Sequence, residues 1–369
     1  MINILQILPA LGSGGIEKLI LQWESQLKKN DMKFVFAVYR NGGSTYELLS
    51  DKGYKIYKIN QVRNVGIRKY CEEVENLIKN ENIKIVHINA GTLTWITLLA
   101  AKRAGVKIRI LHAHTNKYNL PHNELVGKCL EVLVKRLNAK YSTIRLACSD
   151  NAGKYCFGTA SYEFLKNGIN LNEFKGCIKS SREIIRKKFS ISKDMLVVGF
   201  VGRLEEQKNP IFALKVVNYL QKEKDVAMII VGEGPLDEDM HKWCTDHSLK
   251  NVYFVGRQEK MSDWYSAMDI VLMPSLYEGL LIVAVEAQAM GIPSYISEFV
   301  PRDVILTDLV YQISLKKTEK EWAREILCTY PSACKISRVE ELRKKGYDMD
   351  LTTQQLFSIY KREYYKEYK

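Results

Sequence analysis

Short apolar runs alternate with amphipathic segments along most of the 369-residue chain, and this alternation constrains the fold more than any other feature of the sequence. The first apolar run leads into the glycine-rich stretch 12–15, after which apolar residues recur at helical spacing as far as Leu27. A repeated succession of strand, loop and helix is typical of a parallel sheet that helices cover on both faces. The first series contains predicted strands at 2–8, 34–39, 54–59, 83–88, 108–113 and 143–148.

The alternation lapses over 172–194, where the chain is polar and basic, and then resumes with predicted strands at 196–201, 227–231, 252–255, 270–273 and 293–296. A chain of this length normally forms two domains. We therefore predict an α/β fold of two facing, doubly wound, Rossmann-like domains: 1–171, a linker region 172–194, and 195–351, with a final helix 352–369 that packs back on the first domain. Ligands of such sheets bind at the carboxyl ends of the strands, which here would line a cleft between the domains.

The net charge of +13 is concentrated in the first half of the chain. Residues 1–170 carry 25 Lys and Arg against 13 Asp and Glu, whereas 171–369 are nearly balanced. Such asymmetry favours a domain that meets an anionic membrane surface, a phosphate-bearing substrate or nucleic acid. The alternative is a generally basic solvated surface, which would spread the charge more evenly.

Cysteine usage and the terminal segment predict a cytoplasmic protein. The eight cysteines form no CxxC pair, which indicates free thiols in a reducing compartment. The first residues lack the basic region of a signal peptide. The uncharged stretch 85–101 contains His87, Asn89, Gly91 and threonines, so it is too polar for a membrane span.

The segment 274–289 carries the most specific chemistry. A strand ending at Met273 is followed by a loop with Glu278, and a helix starting near Leu281 then carries Glu286 in an otherwise apolar run. The backbone amides of Gly279, Leu280 and Leu281 would be free donors at the start of that helix. A buried carboxylate needs a partner, and a pair of sugar or ribose hydroxyls would serve Glu286. The alternative makes Glu278 a first-turn helix charge and Glu286 a member of a structural ion pair.

Basic residues and glycines in two further loops fit phosphate binding. Arg203 and Lys208 follow the predicted strand 196–201; Arg can hold a phosphate through two donors and Lys as a point charge, although such residues also occur on solvated faces. Gly14 and Gly15 precede a helix and allow close backbone approach, although a tight strand–helix turn alone would also require them.

Histidines cluster at predicted strand ends. His112 and His114 lie two residues apart at the end of a strand, and His87 ends another. No HExxH or acidic partner accompanies them, so we predict no metal site. A structural role is the alternative for each, and it is the one we expect for His87.

The pattern PS-x-YEG-x6-EAQA, which contains Glu-x7-Glu and is followed by Gly291 and Pro293, resembles glycosyltransferase family 4, whose members are retaining, nucleotide-sugar-dependent enzymes of the GT-B fold. The resemblance covers about residues 1–300 and is strongest to bacterial capsule and exopolysaccharide transferases. One departure is Leu281, where the family often has Pro; the change loosens a first helical turn but removes no chemical group. The other landmarks occur in the family's order: GGIE (14–17), HAHT (112–115), ACSDNA (147–152), NGINLNEF (167–174), VGRLEEQKN (201–209), VGEGP (231–235), FVGR (254–257) and MDIVLMPS (268–275).

The resemblance implies a role for each matching residue. Donor-sugar hydroxyls would be held by Glu278 and the adjacent amides, the donor ribose by Glu286, and the diphosphate by Arg203 and Lys208. The remaining positions would surround the ligands: Gly232 and Arg257 toward the nucleotide, Gly14 and Gly15 near the acceptor, and His114, in preference to His112, beside the donor sugar or its phosphate.

The function implied is transfer of a hexose or N-acetylhexosamine, with retention, from a nucleoside-diphosphate sugar to a polyprenyl-diphosphate-linked glycan in capsule or exopolysaccharide synthesis. The expected donor is a UDP-sugar, with no tightly bound cofactor, no metal and no nucleic-acid partner. The basic first half, and helix 124–138 in particular, would contact an anionic membrane peripherally at the inner face. The alternatives are a non-catalytic accessory subunit, a dinucleotide-dependent dehydrogenase, for which no GxGxxG pattern is present, and a nucleic-acid-binding protein, for which no recognised signature is present.

Overall fold

The structure is a computed structural model that describes residues 1–12, 15–89, 94–114, 124–176, 178–330 and 336–369. The chain divides into two compact units. Unit 1 comprises Met1–Gly168 and Met349–Lys369, and unit 2 comprises Ile169–Asp348. Gly14 and two of the eight cysteines, Cys177 and Cys334, lie outside the described residues.

Unit 1 is built on a seven-stranded parallel sheet in the order β3-β2-β1-β4-β5-β6-β7. The five inner strands are largely buried because helices cover both faces, whereas the two edge strands, β3 and β7, contain no buried residue. The six predicted strands are confirmed, and β7 is added. The strands are β1 (Ile2–Leu8), β2 (Met32–Val38), β3 (Ile56–Lys58), β4 (Ile85–Ile88), β5 (Ile108–Ala113), β6 (Ile144–Ala147) and β7 (Glu163–Phe164).

The helices of unit 1 follow the strands in alternation, as the sequence predicts. One of them, α3, is kinked at Gly66, whose φ of 78° is left-handed. The helices are α1 (Gly15–Gln26), α2 (Ser44–Asp51), α3 (Val62–Asn80), α4 (Thr94–Arg103), α5 (Glu124–Tyr141), α6 (Asp150–Phe157) and the last helix of the chain, α14 (Met349–Tyr368).

Unit 2 is built on a six-stranded parallel sheet in the order β10-β9-β8-β11-β12-β13. The strands are β8 (Leu196–Val201), β9 (Val226–Val231), β10 (Val252–Phe254), β11 (Ile270–Met273), β12 (Ser294–Ser297) and β13 (Val310–Ile313). The helices are α7 (Lys179–Lys188), α8 (Pro210–Leu220), α9 (Asp237–Asp246), α10 (Met261–Ala267), α11 (Ile282–Ala289), α12 (Glu319–Thr329) and α13 (Val339–Lys344).

The stretch 172–194, predicted to be a linker region, instead folds as part of unit 2 and forms α7. Arg182 and Arg186 on α7 bind the two carboxylate oxygens of Asp269, at 2.8 and 2.6 Å. The same carboxylate accepts the backbone N–H of Val197 at 2.8 Å. Two arginines of this basic stretch, Arg182 and Arg186, therefore take part in a largely buried ionic contact within unit 2.

Helix α14 belongs to unit 1 although unit 2 precedes it in the chain. Its Leu356, Phe357 and Tyr360 are buried in the core of unit 1. At the surface, Gln22 donates to Asp350, and Arg362 pairs with Glu163. Tertiary contacts with the first half of the chain thus hold this charged terminal helix.

Candidate functional site

The carboxyl ends of β8 and β11 bring two loops together in unit 2. These strands are neighbours in the sheet, and the connections that follow them run to opposite sides, which is the switch point where doubly wound sheets bind ligands. The N–H of Leu276 donates to the carbonyl of Gln207 at 2.8 Å. Gln207 Nε2 in turn donates to the carbonyl of Tyr277 at 3.0 Å. The two loops are therefore tied to each other by backbone and side-chain hydrogen bonds.

An ion pair joins two of the predicted site residues. Lys208 Nζ lies 2.5 Å from Glu278 Oε1, and Gln207 Nε2 lies 3.5 Å from the other carboxylate oxygen. The side chains of Lys208 and Glu278 are only 17% and 5% exposed. A charge-assisted hydrogen bond in so enclosed a place holds both side chains in one geometry. The alternative interpretation of Glu278 as a mere first-turn helix charge does not describe this contact.

Arg203 is placed differently from Lys208. Its side chain is 65% exposed and its NH1 lies 3.2 Å from Glu205 Oε2. An exposed ion pair of this kind contributes little to stability, so the guanidinium can exchange its partner at low cost. The predicted diphosphate contact of Arg203 stays a prediction.

Glu286 lies on α11 and is buried. The hydroxyl of Tyr265 donates to its Oε2 at 2.8 Å. Burial, with the nearby carboxylate second, raises the pKa of Tyr265 well above its usual value, so this hydroxyl keeps its proton. Helix α11 begins at Ile282, one residue after the predicted start, and Leu281 occupies the N-cap position.

The loop between the ion pair and α11 leaves backbone donors available. Gly279 and Leu281 donate no hydrogen bond from their amides within the described part of the chain. Leu280 is partly exposed, and its carbonyl accepts from Ile282 at 3.1 Å. These amides are the donors that the sequence predicts for a bound oxygen ligand, and their ligand contacts stay predictions.

Gly232 allows three strand-end loops to approach one another. Its φ is +146°, and a Cβ built at this position would lie 1.9 Å from the carbonyl oxygen of Gly202. Its N–H donates to the carbonyl of Gly256 at 2.9 Å. The next residue, Arg257, donates its backbone N–H to Glu233 Oε1 at 3.4 Å. Close backbone packing thus requires glycine at 232, whatever it contacts when a ligand binds.

In unit 1, the glycine loop precedes α1, which Gly15 begins. Gly14, the other glycine predicted to approach a ligand, lies outside the described residues. Glu17 on the first turn of α1 accepts the N–H of Gly12 at 3.3 Å. A carboxylate therefore already lies beside the amides that the sequence offers for phosphate binding.

The two histidines of the HAHT motif have different surroundings. His112 is enclosed, with its ring stacked near Trp23 and His87, and its Nε2 lies 3.3 Å from the carbonyl of Leu165. His114 follows β5, is partly exposed, and places its Nε2 3.1 Å from Asn89 Oδ1. Burial lowers the pKa of His114 to about 4, so the ring is neutral at physiological pH. Of the two, only His114 has a partly exposed side chain, and its predicted contact with a ligand stays a prediction.

Within the described ranges, no three or more His, Cys, Asp or Glu side chains converge in a way that could hold a metal ion.

Three functional candidates were missed by the sequence reasoning. Gln207 lies inside the motif at 201–209, between residues already selected, so its position was the available signal. Tyr265 and Asn89 meet their partners Glu286 and His114 over separations of 21 and 25 residues. No local pattern encodes such contacts.

Helix α5 presents apolar side chains to solvent. Val132 and Leu133 are 50% and 51% exposed, and Leu130 is also exposed. Exposed Lys128 and Arg136 lie on the same helix, whereas Val134 faces the core. The apolar residues of this helix therefore do not all belong to its core face. No described helix is long and apolar enough to cross a membrane.

Comparison with known proteins gives a consistent result. The family described as glycosyl transferases group 1 matches residues 181–327. The putative glycosyltransferase EpsF of Bacillus subtilis (strain 168) is 30% identical over 97% of this chain and 96% of its own length. An Escherichia coli UDP-Gal:alpha-D-GlcNAc-diphosphoundecaprenol alpha-1,3-galactosyltransferase is 26% identical over 79% of this chain and 78% of its own length.

Solved structures share the fold. The crystal structure of Anabaena HepE in complex with UDP and glucose matches with a TM-score of 0.77 at 16% identity, over 98% of this chain and 100% of that one. The predicted α/β GT-B class, with two parallel-sheet units, is thereby confirmed.

Proposed function

The chain belongs to the glycosyl transferases of group 1, and from that membership we propose that it transfers a hexose or N-acetylhexosamine from a UDP-sugar to a polyprenyl-diphosphate-linked glycan. The transfer retains the anomeric configuration and contributes to an extracellular polysaccharide such as a capsule. The observation that carries the proposal is the enclosed Lys208–Glu278 pair at the switch point of the unit 2 sheet.

Unit 2 holds the donor in this proposal. Lys208 and the exposed Arg203 bind the diphosphate. Glu278 and the amides of 279–281 bind hydroxyls of the sugar, and Glu286 binds the ribose. In the reaction, the bond between the sugar carbon and the diphosphate oxygen breaks, and a bond to the acceptor hydroxyl oxygen forms. The released UDP gains negative charge, which the cations and amides stabilise. The proton of the acceptor hydroxyl passes to the departing phosphate oxygen or to water.

Support for the donor comes from two sides. The Escherichia coli relative is named for UDP-Gal, and the Anabaena structure contains UDP and glucose. In this chain, the enclosed Lys208 and Glu278 and the backbone amides of 279–281, which donate no hydrogen bond within the described residues, lie in two adjoining loops. A sugar diphosphate needs this combination of a cation, a carboxylate and N–H donors.

Two observations support the proposed acceptor: the name of the Escherichia coli relative and the positive charge of residues 1–170. That relative's acceptor is named as a diphosphoundecaprenol-linked sugar. Residues 1–170 of this chain hold almost all the excess positive charge, and α5 adds exposed apolar side chains beside Lys128 and Arg136. Each basic residue near an anionic leaflet contributes about 1 kcal/mol of binding. We propose that this surface attaches peripherally to the inner leaflet and brings a lipid-linked acceptor to the enzyme.

A panel of nucleotide sugars tests the donor assignment. We expect slow release of UDP from one UDP-sugar by the wild-type chain without acceptor, and faster release with a polyprenyl-diphosphate sugar. Lys208→Ala should lower this rate about ten- to hundredfold. Lys215→Ala is the matched control, because Lys215 pairs with Glu319 at the surface of α8. The configuration of the product, read by NMR, tests retention.

Three other results would change the assignment. UDP binding without turnover in the presence of any lipid-linked acceptor would indicate an accessory subunit. Reduction of a nicotinamide dinucleotide would indicate a dehydrogenase. Release of GDP rather than UDP would keep the reaction class and change the donor.

Vesicle co-sedimentation tests the membrane assignment. The full chain should pellet with phosphatidylglycerol vesicles but not with phosphatidylcholine vesicles, and should be released by high salt. Leu133→Ser on α5 should weaken the binding, whereas Leu48→Ser, an exposed leucine on α2 of the same unit, should not. Equal binding by both variants would contradict the assignment of α5.

A further inference from the structure

Gln207 contacts the loop that carries Glu278 at three points. Its carbonyl accepts the backbone N–H of Leu276 at 2.8 Å, and its Nε2 donates to the carbonyl of Tyr277 at 3.0 Å. The same nitrogen lies 3.5 Å from Glu278 Oε2. If the side-chain amide turned over, its oxygen would face two acceptors, so the nitrogen must point this way. Its two N–H bonds then serve the carbonyl of Tyr277 and the carboxylate of Glu278.

The carboxylate of Glu278 has one donor on each oxygen. Lys208 Nζ lies 2.5 Å from Oε1, and Gln207 Nε2 approaches Oε2. In the part of the chain that the structure describes, these are the only two side chains within hydrogen-bond distance of this carboxylate. An enclosed carboxylate that loses a donor carries a desolvation cost, and the remaining donor decides how large that cost becomes.

The two donors respond differently to a phosphate. Lys208 is charged, and a diphosphate that enters the site competes with Glu278 for it through strong charge-assisted hydrogen bonds. The side-chain amide of Gln207 is neutral, and its second hydrogen bond, to the carbonyl of Tyr277, keeps it in place. When Lys208 turns toward a phosphate, Gln207 therefore stays beside Glu278.

The loop after β11 has another anchor that does not involve Gln207. Ser297 Oγ on β12 donates to the carbonyl of Ser275, and both serines are buried. Strand β11 itself is paired on both sides, with β8 and β12. Loss of the Gln207 amide should therefore leave this loop folded and act on the carboxylate of Glu278.

We propose that Gln207 is a positioning residue that holds the carboxylate of Glu278 toward the sugar after a diphosphate has drawn Lys208 away from it. The contact of Gln207 with Glu278 is a feature of unit 2 itself, whereas the sugar and the diphosphate rest on the function proposed above. The Lys208–Glu278 ion pair is then the ligand-free arrangement, and the Gln207–Glu278 contact is the one that persists when the donor is bound.

A double-mutant cycle tests whether Gln207 acts through Glu278. Gln207→Met keeps the length of the side chain and removes both N–H donors. With the donor that the wild type uses, this variant should lower kcat about tenfold and leave UDP affinity unchanged. In the Glu278→Gln background the same substitution should lower kcat by less than about twofold. Equal losses in the two backgrounds, an unchanged kcat, or a tenfold loss of UDP affinity would each overturn the proposal.

Gln221→Met is the matched control. Gln221 is also partly exposed in unit 2, and its Nε2 donates to the carbonyls of Val226 and Lys250 at 3.0 and 2.6 Å. Val226 begins β9, so these contacts lie at the amino ends of the strands, away from the proposed site. The control should stay within about twofold of its parent in both backgrounds. A tenfold loss in Gln221→Met would show that the effect is not specific to Gln207.

Urea unfolding tests the contact without a ligand. In Lys208→Ala, Gln207 is the remaining donor to Glu278, so Gln207→Met should lower the urea midpoint about twice as far in that background as in the wild type. Equal shifts would contradict the contact. If Gln207→Met does not fold, Gln207→Glu, which replaces the donors by acceptors, takes its place with the same expectations. If the wild type turns over no nucleotide sugar, the proposed function fails, while the urea comparison still decides whether Gln207 holds Glu278.

Discussion

Lys208 Nζ lies 2.5 Å from Glu278 Oε1, so the cation assigned to the diphosphate and the carboxylate assigned to the sugar are each other's partner before a ligand arrives. Both side chains are mostly enclosed, so the ion pair fixes their positions, and removing the two charges from water costs free energy that the pair must offset. A phosphate that enters must share Lys208 with Glu278. Because of this competition, a change at either residue should affect the affinity for UDP differently from the turnover of the intact donor.

Glu278→Gln should leave UDP affinity unchanged or slightly higher, because Lys208 loses its competing negative charge. Turnover of the intact donor should fall about ten- to hundredfold, since a charge-assisted hydrogen bond to a sugar hydroxyl contributes about 1.5–3 kcal/mol. Titration calorimetry with UDP and a UDP-release assay measure the two effects. Glu319→Gln, in the surface pair with Lys215, is the control. A large loss of UDP affinity in Glu278→Gln would place that carboxylate at the nucleotide instead.

Glu286→Gln and Tyr265→Phe should both weaken UDP binding, but to different extents. The first removes the charge proposed to accept the ribose hydroxyls, and we expect about a tenfold loss or more. The second removes the 2.8 Å hydrogen bond that orients the carboxylate and keeps its charge, so the loss should be smaller. Titration calorimetry with UDP alone measures the affinity of each variant. Unchanged UDP affinity in Glu286→Gln would show that its role is structural.

Asp269→Asn should strongly destabilise unit 2. Its carboxylate holds Arg182, Arg186 and the N–H of Val197, and removal of one partner from a buried pair costs about 3–5 kcal/mol. Asp308→Asn provides the control, because Asp308 pairs with Arg338 at an exposed position, and its loss should leave the free energy of unfolding unchanged. Urea unfolding of the three proteins makes the comparison. Equal stability of both variants would show that α7 is not held by this carboxylate.

Acid should destabilise unit 1 through its neutral histidines. Burial lowers the pKa of His87 to about 3 and of His114 to about 4, and it lowers that of His112 well below its usual value. In the unfolded chain these groups titrate near pH 6.5. Because the folded pKa values are depressed, their contribution to stability is complete above about pH 6.5 and is lost as the pH falls toward about 4.

His112→Phe, which keeps a ring in the stack, should therefore flatten the pH dependence. Between about pH 6.5 and 4.5, one such histidine accounts for about 2–3 kcal/mol of lost stability. Urea unfolding across this range tests it, with exposed His241→Phe as the control whose pH dependence should match the wild type. A wild-type-like slope in His112→Phe would show that other groups dominate acid unfolding.

The parallel α/β architecture could be predicted because most of its strands are apolar runs bounded by charges or glycines. Strands β5, β8 and β11 begin and end where the sequence predicts. Helix α7 could not be predicted in this way, because a carboxylate eighty-odd residues away holds its basic residues and an apolar stripe does not. β7 pairs over two residues only, which is too short for any periodicity.

The candidate site was predictable in its residues and not in its contacts. Glu278 and Glu286 stand out as carboxylates in apolar surroundings, and Lys208 as a cation at a strand end. That Lys208 meets Glu278 depends on β8 lying beside β11, a tertiary pairing that joins residues 70 apart in sequence. The buried hydrogen bond from Gln6 to the Tyr360 hydroxyl spans a still larger separation of 354 residues.

The membership of α14 in unit 1 has a consequence for the order of events on the ribosome. Unit 2 is continuous in sequence and can complete its core while the chain is still being made. Unit 1 must wait, since Leu356, Phe357 and Tyr360 fill its core and are translated after all of unit 2. During that interval β1, β4 and β5 stand with Gln6 and His87 lacking the Tyr360 hydroxyl. The part of the molecule whose synthesis begins first is therefore the last to reach its native state.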